Sequence, residues 1–131
     1  MAYLGISRRA AQDIEEIRRF SVEHWGERVA ADYLDGIAQA LIRLRESPGL
    51  LRTKPEFSRH LRFYRVERHF LVCSLLENNI YLLAVRHGSL DLPSRFAELE
   101  PTLLHEVDLL HQAFLVKINR ARGGKQGRQG A

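Results

Sequence analysis

Residues 61–87 decide the fold: Leu61-Arg62-Phe63-Tyr64-Arg65-Val66-Glu67-Arg68-His69-Phe70-Leu71-Val72-Cys73-Ser74-Leu75-Leu76-Glu77-Asn78-Asn79-Ile80-Tyr81-Leu82-Leu83-Ala84-Val85-Arg86-His87. Three runs rich in aromatic and aliphatic side chains, 61–66, 70–76 and 80–85, are separated by short polar connections. That is the pattern of strands joined by hairpins. Glu77-Asn78-Asn79 suits a tight turn, because Asn tolerates the positive φ such turns require. The economical reading is a three-stranded antiparallel meander.

Upstream the period changes from two to between three and four. Ala10, Ile14, Ile17 and Ser21 share one helical stripe, with Asp13, Glu15, Glu16, Arg18 and Arg19 on the remainder. Gly26 interrupts, and a second helix spans about 27–45, carrying Tyr33, Leu34, Ile37, Leu41 and Leu44 on one side. Ser47-Pro48-Gly49 ends it, since proline cannot continue the hydrogen-bond ladder. The pair is expected to form an antiparallel helix hairpin covering one face of the sheet. Tyr3-Leu4-Gly5-Ile6 reads as a short edge strand and Ser7 as the N-cap that follows it. Residues 50–59, with Pro55 inside, read as a loop. Downstream of His87-Gly88 a loop runs through Pro93. A C-terminal helix is expected over 102–116, from Leu103, Leu104, Val107, Leu110 and Phe114. The Gly-, Lys- and Arg-rich residues 117–131 bury almost nothing and are expected to lack regular structure. The fold class is therefore α+β, a helix hairpin on a three- to four-stranded antiparallel sheet, in a single domain of residues 1–116.

Composition is that of a soluble globular chain, 45% hydrophobic and 27% charged. No run reaches the roughly 20 apolar residues of a membrane helix, and the N-terminus lacks the apolar core of a secretory signal. A single cysteine, Cys73, excludes an internal disulfide, and the reducing cytoplasm is the expected compartment. The net charge of +4 is unevenly spread: −1 over 1–46, +4 over 47–69, −4 over 70–116 and +5 over 117–131. The body is not a polycation of the kind that binds nucleic acid through phosphate alone.

Several segments together carry a family resemblance. Ile6-Ser7-Arg8-Arg9-Ala10-Ala11-Gln12-Asp13-Ile14-Glu15-Glu16-Ile17, Trp25-Gly26-Glu27-Arg28-Val29-Ala30-Ala31-Asp32-Tyr33, Leu61-Arg62, His69-Phe70-Leu71-Val72 and Ala84-Val85-Arg86-His87-Gly88 follow one another, and Asp91-Leu92-Pro93 continues the match. In content and order they resemble the ParE/RelE toxin superfamily over about residues 4–96. The resemblance implies a toxin held inactive by a cognate antitoxin, with no cofactor. ParE-like members bind and poison DNA gyrase; RelE-like members cleave mRNA on the ribosome. Where RelE-like enzymes carry an Arg in the second meander strand, this chain has Phe70 or a near neighbour, and the position resembling their basic first-strand residue holds His60. The ParE-like branch is therefore favoured. Ser89-Leu90 replaces the basic pair that often follows His-Gly in the family, which leaves open a member that binds antitoxin without being toxic.

Candidate residues divide by chemistry. Arg62, Arg65 and Arg68 near the first hairpin suit contact with a phosphate or an acidic partner strand; the plain alternative is a solvated edge that discourages aggregation. Arg86 and His87 end the third strand, where an imidazole can serve as acid or base, or simply contact a partner. Arg62, Arg65, Arg68, Arg86, His87 and Asp91 form the expected target- or antitoxin-binding set. For a ribonuclease, Arg62, Arg65, Arg86 and His87 would be the catalytic set. His60, His69 and His87 lack tight ligand spacing, and His105 and His111 fall on different helix faces, so no metal is expected. Tyr64 and Tyr81 are expected to pack in the core rather than stack on a base. A homodimer and a toxin–antitoxin hetero-oligomer both remain open.

Overall fold

A computed structural model describes residues 1–88 and 92–130, with side chains for 1–88 and 96–122. The elements are β1 (Leu4–Ile6), α1 (Arg8–Glu46), a single 3-10 turn (Pro48–Leu50), β2 (Arg52–Lys54), β3 (Ser58–Val66), β4 (His69–Leu76), β5 (Asn79–His87) and α2 (Leu92–Gly130). The architecture is α+β as expected, and the sheet is larger than read from the sequence. Five strands run in the order β1-β5-β4-β3-β2.

The meander is present in the expected place. β3, β4 and β5 pair antiparallel, with Val66 opposite His69 and Leu76 opposite Asn79. The two residues between β4 and β5, Glu77 and Asn78, both take positive φ (52° and 64°), matching the twist of the strands they join. Val72 faces Ala84 but Cys73 faces Leu82, so Leu83 is an extra residue in β5. This bulge turns both Leu83 and Ala84 toward the same core. The alternation elsewhere on the strands then sorts side chains between two faces.

α1 is an antiparallel hairpin. Gly26 sits at φ 87°, ψ 169°, outside helical geometry and in a region essentially reserved for glycine, and divides α1 into arms 8–25 and 27–46. No atom crowds the place a Cβ would take at Gly26, so the backbone conformation alone requires glycine there. The far arm returns to the chain start, where Ala2 N–H donates to the Arg45 carbonyl (2.9 Å) and Arg45 Nε donates to the Ala2 carbonyl (3.0 Å). Ala10, Ile37, Ala40, Leu41 and Leu44 press on Leu71, Cys73, Ile80, Leu82 and Val85.

The opposite face of the sheet is covered as well. Phe96, Leu103 and Val107 of α2 pack against Leu61, Phe63, Val72, Tyr81, Leu83 and Ala84. The sheet is thus the middle of three layers. Tyr81 is fully buried, and its hydroxyl accepts from Asn79 Nδ2 (3.2 Å) and meets His111 Nδ1 (2.7 Å). On its other side His111 Nε2 lies 3.2 Å from Glu77 Oε2. Arg9 Nε donates to Glu106 Oε1 (3.1 Å), a second polar tie between α2 and the body.

Four expectations need correction. The segment read as a loop over 50–59 contains β2, whose Arg52 and Thr53 pair with Phe63 and Arg62 before the register slips at Lys54. β1 pairs with β5 in parallel, making the sheet mixed, because the chain crosses back through α1 before β5 forms. α2 begins at Leu92, ten residues before the expected start, and takes Pro101 within it. The proline forfeits one hydrogen bond, and burial of Phe96 and Leu103 on either side offsets that loss. Residues 117–122 continue α2, since adding a residue to an existing helix costs little.

Ser7 joins the strand layer to the helix layer. Its hydroxyl accepts from Ala10 N–H (3.0 Å) as the N-cap of α1 and donates to the Leu83 carbonyl (3.0 Å), while the side chain is buried. Replacing Ser7 with alanine removes both bonds and strands two buried backbone groups. We expect Ser7→Ala to lower stability by about 2–3 kcal/mol, measured as a reduced urea midpoint with unchanged slope.

Candidate functional site

β1 ends opposite Leu82, so among the described residues the outer margin of β5 beyond that point has no strand beside it. The first arm of α1 takes over there. Ser7 binds the Leu83 carbonyl, and one turn further Asp13 Oδ2 accepts the Val85 N–H at 2.9 Å. Past Asp13 the arm and the sheet diverge, opening a cleft of about 550 Å³. Its helical wall is Asp13, Glu16, Ile17, Phe20, Ser21 and Trp25, with Tyr33 from the second arm. Its sheet wall is Arg68, His69, Val85, Arg86 and His87.

The mouth is aromatic. Phe20 stacks on His24 (3.9 Å between centroids) and meets Trp25 edge-on (5.6 Å). Phe20 and Trp25 remain 52% and 51% exposed, although each has apolar neighbours within reach. Covering such rings releases roughly 25 cal/mol per Å² of apolar surface, so the rim favours an apolar occupant.

The inner wall is polar and partly desolvated. Tyr33 hydrogen-bonds through its hydroxyl to His69 Nδ1, and the His69 and His87 rings meet edge-on at 5.1 Å. Burial, aided by the neighbouring His87, holds His69 down to about 4, so it is neutral at physiological pH. Burial also raises Tyr33 and Asp13 above their ordinary values, with the Val85 N–H and the nearby Arg86 opposing the shift at Asp13. Among the described residues Arg86 Nε is buried with no hydrogen-bond partner.

The depressed His69 gives the stability a pH signature. The unfolded chain binds a proton at His69 below about 6.5, whereas the folded chain resists until about 4. Stability is therefore full above 6.5 and declines as pH falls between those values. The expected loss is on the order of 1–2 kcal/mol, allowing for the half-exposed position. Urea midpoints at pH 7 and pH 4.5 should converge in His69→Gln and diverge in the parent chain.

Three of the six expected site residues meet here: Arg68, Arg86 and His87. Arg62 and Arg65 do not join them, and they do not join each other. Three residues apart on a strand, they face opposite sides of the sheet, Arg62 opposite Cys73 and Arg65 opposite Phe70. Arg62 lies four rungs along β3 and two strands across from His87, roughly 16 Å away by ideal sheet spacing. Arg65 instead joins Arg52, Lys54 and Phe70 in a smaller groove of about 280 Å³, where Lys54 and Arg65 lie over the Phe70 ring at 5.3 and 5.5 Å. His60 is exposed on β3. Asp91, with Ser89 and Leu90, lies outside the described residues. Among the described residues no group of three or more His, Cys, Asp or Glu is placed to hold a metal ion. None of their helices is long and apolar enough to cross a membrane.

Phe20, Trp25, Tyr33, Asp13 and His69 were not read as site residues. A signal existed for two of the aromatics: Phe20 and Trp25 flank Ser21, the last buried position of the first arm, and Trp25 adjoins the Gly26 break. No such signal marks Asp13 or His69, whose partners lie 72 and 36 residues away in the chain.

Comparison with known proteins agrees with this architecture. The family model described as ParE toxin of type II toxin–antitoxin system, parDE, matches residues 4–92. No curated protein matches the chain. A solved structure described as the chromosomal ParDE TA system from P. aeruginosa is similar in fold, with a TM-score of 0.59 and 19% identity, over 66% of this chain and 96% of that one. The family match takes in both walls of the cleft and the sheet between them, well over half of the sequence. The chain belongs to the ParE toxin family of type II toxin–antitoxin systems.

Proposed function

We propose that this protein is the toxin of its pair, that it halts growth in the cytoplasm by binding DNA gyrase, and that a cognate antitoxin neutralises it by seating a segment in the cleft. The single observation that carries the antitoxin reading is the cleft itself, with an aromatic mouth and a polar inner wall that includes Arg68 and Arg86. An amphipathic segment matches it, laying apolar side chains on Phe20 and Trp25 and turning an acidic group or backbone carbonyl toward Arg68 and Arg86. Family membership supports the existence of the antitoxin. The choice of gyrase rests on the resemblance to the ParE branch and on the separation of the cationic residues. RNA cleavage needs a base, an acid and cations converging on one phosphate; Arg62 lies away from Arg86 and His87, and Arg65, on the rung of Phe70 and Arg86, lines a different groove from theirs.

A second reading has its own observation. Arg68, Arg86, His69 and His87 share one wall, a combination that also suits a scissile phosphate in a RelE-like ribonuclease. Induced expression separates the two. Growth arrest with protein-linked DNA breaks, reversed by co-expressing the protein encoded beside it, is the expected result. Arrest with cut mRNA and intact DNA establishes the ribonuclease instead. Harmless expression with tight binding to the neighbour identifies a non-toxic, antitoxin-binding member.

A further inference from the structure

The family match ends at residue 92, where α2 begins, so the shared ParE activity does not account for this helix. One side of α2 is used up on the sheet through Phe96, Leu103 and Val107. The other side is exposed and is not uniformly polar. Leu109 and Val116, seven residues apart and therefore on one stripe, are 54% and 47% exposed, and Leu115 beside them is 41% exposed. Glu98, Thr102, Leu109, Gln112, Val116 and Arg120 continue that stripe at helical spacing, all exposed.

The charges along the helix are segregated. Residues 96–116 hold four acidic side chains and no Lys or Arg, whereas 117–122 hold three basic side chains and no acidic one. A helix that is acidic, then apolar, then basic is complementary to its own reverse. Turned end for end about Leu109, a second copy sets Leu109 against Leu109, Val116 against Thr102 and Arg120 against Glu98, each of the last two contacts made twice. A parallel arrangement would instead stack like charges along its length.

We infer that the outer face of α2 is a homodimer interface, in which two copies of this chain pair their α2 helices antiparallel about a two-fold axis at Leu109. The contact is isologous, so it closes at two copies. The apolar centre supplies the attraction, while the flanking charges fix orientation and contribute little each. The surface lies on the far side of α2 from the sheet, so the dimer leaves the cleft walls unchanged.

Sedimentation equilibrium of the full-length chain tests the inference. A species with the mass of two chains is expected at micromolar concentration. Leu109→Glu should weaken its dissociation constant by roughly 100-fold or more, by burying two carboxylates face to face. Circular dichroism should stay unchanged, because the position is exposed. Glu98→Arg should weaken the dimer, and adding Arg120→Glu should restore it. Under mild oxidation Leu109→Cys should form an intermolecular disulfide and Val116→Cys should not, the native Cys73 being buried. A single-chain mass at all concentrations, a dimer indifferent to Leu109→Glu, or self-crosslinking through Val116→Cys would each overturn the inference. So would a chain that is monomeric alone and uses Leu109 only to bind the neighbouring protein.

Discussion

Truncating Tyr81 to alanine should cost the fold about 4 kcal/mol, the largest effect expected of any single side chain described here. Tyr81 has no exposed surface and lies at the centre of the core between the sheet and α2. Tyr3, just before β1, packs on it (6.2 Å between centroids), and a Cβ added to Gly5 would lie 2.8 Å from its ring. Removing the ring therefore opens a cavity bounded by rigid backbone, which relaxes poorly. Tyr81→Phe isolates the hydroxyl. It keeps the packing but breaks the chain from Asn79 through Tyr81 to His111 and Glu77, and should cost about 1 kcal/mol. Equilibrium urea unfolding of both variants measures the two contributions. A Tyr81→Ala cost as small as that of Tyr81→Phe would mean that α2 does not close over the ring.

The second large effect concerns binding. Replacing Phe20 and Trp25 together with alanine should weaken the complex with the antitoxin by 100-fold or more, about 3 kcal/mol or greater. Both rings lie at the cleft mouth with half their surface in solvent, and neither belongs to the core of the free protein. The free double variant should therefore melt within a few degrees of the parent. Isothermal titration with the protein encoded beside it reads the affinity directly. The same variant should escape neutralisation in cells, so that co-expression no longer restores growth. Arg86→Gln is a useful companion, because it removes the charge while retaining a polar side chain in the cleft wall.

What the sequence revealed follows from where its signals are local. The meander was legible because three aromatic and aliphatic runs, 61–66, 70–76 and 80–85, are divided by short polar connections. The hairpin of α1 was legible because Gly26 interrupts an otherwise steady helical stripe. β2 was not legible. Arg52-Thr53-Lys54 has no apolar residue and stands beside Pro55, and it is a strand only because β3 offers it partners. The parallel pairing of β1 depends on where the chain returns, which no short window encodes. Pro93 and Pro101 concealed the start of α2, whose anchoring by Phe96 is a tertiary effect.

The site divides in the same way. Arg68, Arg86 and His87 stand at strand ends and were singled out by residue type and family position. Grouping Arg62 with Arg65 overlooked the pleat, which sends side chains three residues apart to opposite faces. The Tyr33–His69 and Asp13–Val85 contacts join the helix hairpin to strand ends, and only the assembled layers bring them together.

Amide hydrogen exchange on the toxin, free and bound to the protein encoded beside it, examines the docking site without prejudging it. New protection should concentrate at residues 13–25, 68–69 and 85–88, the two walls that now stand apart. Protection confined to the outer side of β2, or to α2, with those walls exchanging as fast as before, would contradict the assignment of the cleft.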